Sequence, residues 1–232
     1  MDVQDATWPV IRHIDRRLPY SDRARRRETQ AFFAVRAGTW DAKFGDDLPA
    51  YRAAVAEAGI PRGAVVADIG CGTGRALPAL REAVGPAGAV LGLDLTTEML
   101  QAVRVHGRHQ GVQLVRADAE HLPLADRSLA AVFAAGLLPH CLDPTDTLRE
   151  LARVTRPAGI LVIFHPSGRA ALAARHARIL SADETLAPHR LTAEMHETGW
   201  VLQRYDDAEH RFFAVARRNA PCEAFMDETF FG

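Results

Sequence analysis

The stretch that decides the fold is Val65-Val66-Ala67-Asp68-Ile69-Gly70-Cys71-Gly72-Thr73-Gly74. A short apolar run bounded by glycine predicts a buried strand over residues 65–68. Because glycine has no Cβ, the backbone of the turn that follows can approach a ligand closely. Residues 75–84 read as a helix, whose free N–H groups would point toward the same place. The sequence therefore predicts a strand, a glycine turn and a helix arranged around a ligand.

Four more apolar segments continue the alternation of strand and helix. We predict strands at residues 89–94, 112–118, 129–135 and 160–164, with helices between them. This alternation is typical of a doubly wound sheet with right-handed crossovers. Two late strands, 200–205 and 211–216, are joined by a short polar segment and should form a hairpin. The expected fold is an α/β, Rossmann-like, mostly parallel sheet of seven strands with an antiparallel C-terminal hairpin.

Length and composition indicate a globular α/β protein rather than a nucleic-acid or membrane protein. The chain has 232 residues, 48% of them hydrophobic, and a formal net charge of −1, so it has no overall basic field for nucleic acid. Three scattered cysteines form neither a disulfide framework nor a zinc-ligand spacing, which fits the cytoplasm. The longest apolar run, residues 129–139, falls far short of the roughly 20 residues that a membrane helix needs.

The chain is expected to divide into three parts. Residues 1–45 should form an N-terminal helical cap or lid, residues 46–218 the main domain, and residues 219–232 a C-terminal tail. The cap is rich in arginine, and we interpret its arginines, among them Arg23 and Arg26, as solvated. The alternative is an electrostatic patch for an anionic substrate or for RNA.

Acidic residues end three successive predicted strands, at Asp68, Asp94 and Asp118. Ligands of doubly wound sheets lie at the carboxyl ends of the strands, so these acids should share one edge. Asp94 lies twenty positions after Gly74, where a carboxylate can accept hydrogen bonds from both hydroxyls of a ribose. One such acid is usually just solvated, but three in succession behind a glycine turn predict a nucleoside-cofactor site. The turn reads G-x-G-x-G, whereas a dinucleotide turn reads G-x-G-x-x-G.

Together these motifs resemble the class I S-adenosylmethionine-dependent methyltransferases, in the small-molecule group related to the ubiquinone and sterol enzymes. The matching stretches are residues 65–74, 90–100, 117–124 and 128–164, within a resemblance that covers roughly residues 40–217. The resemblance implies S-adenosylmethionine as methyl donor and S-adenosylhomocysteine as product. The fifth strand ends in His165-Pro166, without the Asp-Asn of catechol-type enzymes, so no catalytic metal is expected.

The resemblance also implies roles for individual residues. Asp94 would bind the ribose, Asp118 would accept from the adenine amino group, and Asp68 would lie near the amino end of the methionine part. The other implied cofactor contacts are Gly70, Cys71, Gly72, Leu95, Met99, Ala119, Ala135 and Gly136. For Leu95 and Met99, ordinary core packing is an equally good interpretation.

Methyl transfer from a sulfonium is an in-line displacement, for which the protein supplies binding and alignment. If the acceptor must lose a proton, His140, after the fourth predicted strand, is the best candidate base, and His165 is the second. Either histidine could instead be a polar residue of the rim. The acceptor pocket should be built from residues 1–45 and 167–190. No Asp/Asn-Pro-Pro-aromatic stretch follows the fourth strand, which argues against nucleic-acid bases as acceptors.

The sequence thus predicts a cytoplasmic methyltransferase that acts on oxygen, carbon or nitrogen of a small organic molecule. A homodimer is compatible with the sequence. Two other functions remain open: a non-catalytic S-adenosylmethionine-binding regulatory module, and an RNA methyltransferase that uses the arginine-rich N-terminal segment. A nicotinamide oxidoreductase is disfavoured by the glycine spacing.

Overall fold

A seven-stranded sheet forms the centre of the protein, in a computed structural model that describes residues 20–219. The strands are β1 Val65–Ile69, β2 Ala89–Asp94, β3 Val112–Arg116, β4 Leu129–Ala135, β5 Thr155–His165, β6 Trp200–Ala208 and β7 Arg211–Arg218. Their order is β3-β2-β1-β4-β5-β7-β6. Strands β1 to β5 pair in parallel, and β7 pairs antiparallel with both β5 and β6. The predicted fold class is confirmed.

Helices flank this sheet, and the described part of the chain begins with one. They are α1 Tyr20–Ala34, α2 Trp40–Phe44, α3 Leu48–Glu57, α4 Leu77–Val84, α5 Thr97–Val105, α6 Pro144–Val154, α7 Arg169–Arg175 and α8 Pro188–Glu197. Alternate strand residues belong to different apolar clusters, Ala67 and Ile69 to one and Val66 to the other. Because successive strand residues point to opposite faces, the sheet is buried on both sides. Among the described residues, no helix is long and apolar enough to cross a bilayer.

Several element boundaries differ from the predicted ones, and three of the differences have a local reason. Helix α4 begins at Leu77 rather than at residue 75, because the turn keeps positive φ as far as Gly74, where φ is +81°. Strand β3 ends at Arg116, so Asp118 lies just beyond the strand. Strand β5 begins at Thr155 rather than at residue 160, and its pairing with β4 shifts register there. Such a bulge carries the chain into the ladder without a separate turn.

Helix α6 begins at Pro144 and is capped by Asp143. The Asp143 carboxylate accepts hydrogen bonds from the backbone N–H groups of Thr145 at 2.8 Å and Asp146 at 3.0 Å, and Pro144 occupies the first helical position. This cap satisfies two of the free donors that every helix leaves at its start. The predicted parts of the chain before residue 20 and after residue 219 lie outside the described residues.

Candidate functional site

The glycine turn after β1 is held against β2 by its own backbone. The N–H groups of Gly70 and Cys71 both donate to the carbonyl of Leu93, at 2.8 and 2.9 Å. A Cβ at Gly74 would lie 2.9 Å from Leu77 Cδ1, whereas a Cβ at Gly72 would have nothing within 4 Å. Gly74, at φ +81°, therefore packs closely on the following helix, while Gly72 faces open space.

Asp41, in α2, anchors the outer side of this turn. Its carboxylate accepts from Thr73 Oγ1 at 2.6 Å and from Arg75 Nε at 3.3 Å, and it pairs with Arg108 Nη2 at 2.6 Å. Burial raises the pKa of Asp41, but the bonds from Thr73 and Arg108 outweigh it, so the net pKa lies below the usual value. Sequence reasoning missed this network. The sequence signal for it was a cation, Arg75, directly after the glycine turn. In the structure Arg75 is buried.

A buried carboxyl group, Asp68, and a half-buried one, Asp94, lie at the ends of β1 and β2. Asp94 Oδ2 accepts from the Gly72 N–H and Oδ1 from the Thr96 N–H, both at 2.8 Å. Asp68 is 2% exposed, and its Oδ1 has no hydrogen-bond partner. Burial, with a smaller contribution from the Asp94 charge, raises the pKa of Asp68 to about 8. A buried carboxyl oxygen without a partner fits a ligand that brings a cationic donor, such as the ammonium of a methionine moiety.

Asp118 lies at the same edge of the sheet, but Arg26 of α1 contacts it. Arg26 forms an ion pair with Asp118 and a second one, at 2.6 Å, with Glu120. The Arg26 side chain is only 11% exposed, so its interpretation as solvated was wrong, although Arg23 is exposed as expected. The error has a physical cause: the two carboxylates that neutralise Arg26 are more than ninety residues away in the sequence.

Helix α1 also contacts the ribose end of the predicted cofactor site. Gln30 Nε2 donates to the Leu95 carbonyl at 2.9 Å. Together with the Arg26–Asp118 ion pair, this contact places α1 against the residues that directly follow β2 and β3. The sequence contained no local pattern that singled out Gln30 or Arg26 from the other polar residues of the segment.

Asp118, Glu120 and His121 each bring one possible metal-ligand atom within 4.8 Å of the others. Arg26 already supplies the compensating positive charge to both carboxylates. An acidic group neutralised in this way gives no reason to assign a metal.

The turn after β4 lies next to the glycine turn. A Cβ on Gly70 would lie 2.9 Å from Leu137 Cδ1, so Leu137 covers the turn at this point. His140 is exposed, and its ring meets the ring of Phe33 edge-on at 5.0 Å between centroids. The partial loss of water around the imidazole lowers the pKa of His140.

His165 ends β5, beside Gly136. Its Nδ1 lies 3.1 Å from the backbone N of Ser167. Burial is the largest of the effects that lower the pKa of His165. Both histidines therefore favour the neutral form at pH 7, in which an imidazole can accept a proton.

The other predicted cofactor contacts surround the same edge. Cys71 is buried, and Met99 is 2% exposed. Leu95, Ala119 and Ala135 are half-buried. The structure thus brings the predicted residues together, and their roles toward a cofactor remain predictions.

The sequence and the fold are both similar to those of methyltransferases. A family model described as a methyltransferase domain matches residues 67–163. A malonyl-[acyl-carrier protein] O-methyltransferase of Marinomonas sp. is 42% identical over 103 residues, which are 42% of this chain and 36% of that protein. A ubiquinone/menaquinone biosynthesis C-methyltransferase of Hahella chejuensis is 37% identical over 117 residues, or 49% and 47% of the two chains. The chain thus spans less than half the length of these curated relatives.

Solved structures extend the likeness of the fold over most of the chain. One is the complex between the Haloferax volcanii Trm112 methyltransferase activator and a methyltransferase, with a TM-score of 0.65 and 20% identity, over 81% of this chain and 98% of the other. A second is a SAM-dependent methyltransferase of Aquifex aeolicus, with a TM-score of 0.57 and 23% identity, over 72% and 89%. At such identities the likeness concerns the fold alone. The match over residues 67–163 and the shared fold together make this chain similar to S-adenosylmethionine-dependent methyltransferases.

Proposed function

We propose that this protein transfers a methyl group from S-adenosylmethionine to oxygen, carbon or nitrogen of a small organic acceptor. The observation that carries the proposal is the unpartnered, buried carboxyl of Asp68 beside the glycine turn. One curated relative is named as an O-methyltransferase and another as a C-methyltransferase, so the accepting atom stays open.

When bound, S-adenosylmethionine supplies an electrophilic methyl group on a sulfonium. Asp68 would hold the ammonium of its methionine part, and Asp94 the ribose hydroxyls. Gly72 leaves room for that ligand, since nothing lies within 4 Å of the place of a Cβ. The chain contributes chiefly by alignment, which in favourable cases lowers a barrier by roughly 7–11 kcal/mol.

His140 is the proposed base for acceptors that must lose a proton, and His165 is the second candidate. The lowered pKa of His140 keeps the imidazole neutral near pH 7, so that it can accept the acceptor's proton as the new bond to the methyl forms. Its exposed position allows that proton to pass on to water.

The N-terminal segment is proposed to act as a lid over this site. Arg26 engages the carboxylate that the adenine amino group would use, and Phe33 packs on His140. Cofactor entry then requires α1 to shift, and its return would exclude water from the reaction. Slower hydrogen exchange in residues 20–34 only with both cofactor and acceptor bound would agree with this, and no change would contradict it.

Two measurements test the proposed function. S-adenosylhomocysteine at 100 times its dissociation constant should stabilise the protein by roughly 2.7 kcal/mol, whereas NADH should not. Transfer of labelled methyl to a panel of small acceptors should then be detectable and should be lost in D94A. Cofactor binding without turnover on any acceptor would favour the regulatory module instead. Because Arg26 is buried in ion pairs, it is unavailable to RNA. A cytoplasmic location and a homodimer remain predictions from the sequence.

A further inference from the structure

A small cavity lies beside the turn after β4, which contributes Gly136, Leu137 and Leu138 to its wall. Its volume is about 30 Å³, roughly the space of one water molecule. The walls are mainly apolar and include Leu137, Leu138, Ile163, Phe164, Leu172 and Leu186. Because Leu137 also covers Gly70, the cavity is next to the place where the methyl group would be presented.

Arg169 brings an unused donor to this cavity. Its Nε donates to Asp207 Oδ2 at 2.9 Å, and its backbone N–H to Asp207 Oδ1 at 2.8 Å. Its Nη1 is buried and has no hydrogen-bond partner, in a side chain that is 12% exposed. Buried guanidinium donors are almost always satisfied, so the missing partner points to an oxygen supplied by a ligand.

The charges around the cavity favour a negatively charged oxygen. No carboxylate is among the described residues that line it. The charged groups that act on His165, which does line it, are Arg175, His140 and His176, all of them cationic when charged. Arg175 Nη2 also donates to Ser167 Oγ at 3.1 Å, at the cavity wall. Asp207 is the acid that faces Arg169, and its oxygens are directed to Nε and to the backbone.

We propose that Arg169 binds a carboxylate of the methyl acceptor, so that the acceptor is an organic acid with an apolar body. This inference rests on the proposed function. One carboxylate oxygen fits the cavity at Nη1, and the apolar body extends along Leu172 and Leu186. The cavity has room for no more than that oxygen. Residues 176–187, which form no helix or strand, must therefore move to admit the rest of the acceptor.

The test uses sodium benzoate and benzamide as probes on the full chain saturated with S-adenosylhomocysteine. The two probes have almost the same shape, but only benzoate is charged. At equal ionic strength, benzoate should raise the melting temperature and benzamide should not. In R169M the affinity for benzoate should fall about tenfold or more. R156M is the matched control, since Arg156 is exposed at the opposite end of β5, and it should bind benzoate normally.

R169K separates the role of the donor from simple misfolding. The lysine ammonium keeps a positive charge beside Asp207 but has no second nitrogen to bind the ligand. R169K should therefore fold normally and still lose benzoate binding. Equal shifts with both probes, no shift with benzoate in the wild type, or full benzoate binding in R169M would overturn the proposal. If S-adenosylhomocysteine itself does not bind the wild type, the proposed function fails rather than the role of Arg169.

Discussion

Replacing Arg26 by methionine should strengthen cofactor binding. Arg26 pairs with Asp118 and Glu120. If the adenine amino group donates to Asp118, it competes with Arg26 for the same carboxylate. Methionine keeps much of the apolar stem of arginine and removes the competing charge.

The magnitude follows from how shielded these groups are. The Arg26 side chain is 11% exposed, and the Asp118 and Glu120 side chains are 23% and 9% exposed. A hydrogen bond to a charged group at such a position contributes about 1.5–3 kcal/mol. The ligand-free R26M protein should therefore be less stable by about 2 kcal/mol. Because the contact no longer has to break, affinity for S-adenosylhomocysteine should rise about tenfold, which corresponds to about 1.4 kcal/mol.

Titration calorimetry with S-adenosylhomocysteine measures the affinity, and urea denaturation measures the stability. R23M is the control, because Arg23 is exposed on the same helix and should change neither quantity. Unchanged or weaker binding by R26M, with R23M normal, would refute the competition. That result would mean that Arg26 stays at the site and contributes to binding.

Four further outcomes are expected. Burial raises the pKa of Asp68 to about 8, so between about pH 4 and pH 8 the folded state binds a proton that the unfolded state does not. Without cofactor, the free energy of unfolding should therefore fall as the pH rises through this range. Cofactor binding at pH 7 should release that proton, giving calorimetric heats that depend on the buffer; D68N should abolish this dependence. D41N should cost about 2 kcal/mol in urea denaturation because Arg75 and Arg108 lose a charged partner, whereas D46N, at an exposed residue, should cost little. For acceptors that lose a proton, H140Q should lower kcat on the order of 100-fold, and undiminished turnover at neutral pH would remove the base assignment.

The sheet was predictable because its information is local. The apolar runs, the glycine turn and the acids at the strand ends each occupy a few adjacent residues, and parallel strands must bring their carboxyl ends to one edge. Strands β2 and β4 accordingly have the predicted bounds. Where a bound differed, as at the start of β5, the cause was a bulge against a neighbouring strand, which adjacent residues do not encode.

By itself, the sequence determined the fold class and the family resemblance and predicted the cofactor edge, because spacing along one chain places strand, turn and acid. Only the tertiary structure decided that Arg26 covers Asp118, that Asp41 holds the glycine turn, and that Asp68 and Arg169 each retain an unpartnered polar atom. Pairing and desolvation depend on which distant segments meet, and a charged side chain has the same identity in the sequence whether it is solvated or buried. The contacts of α1 and of α7 with the sheet edge therefore had to be observed.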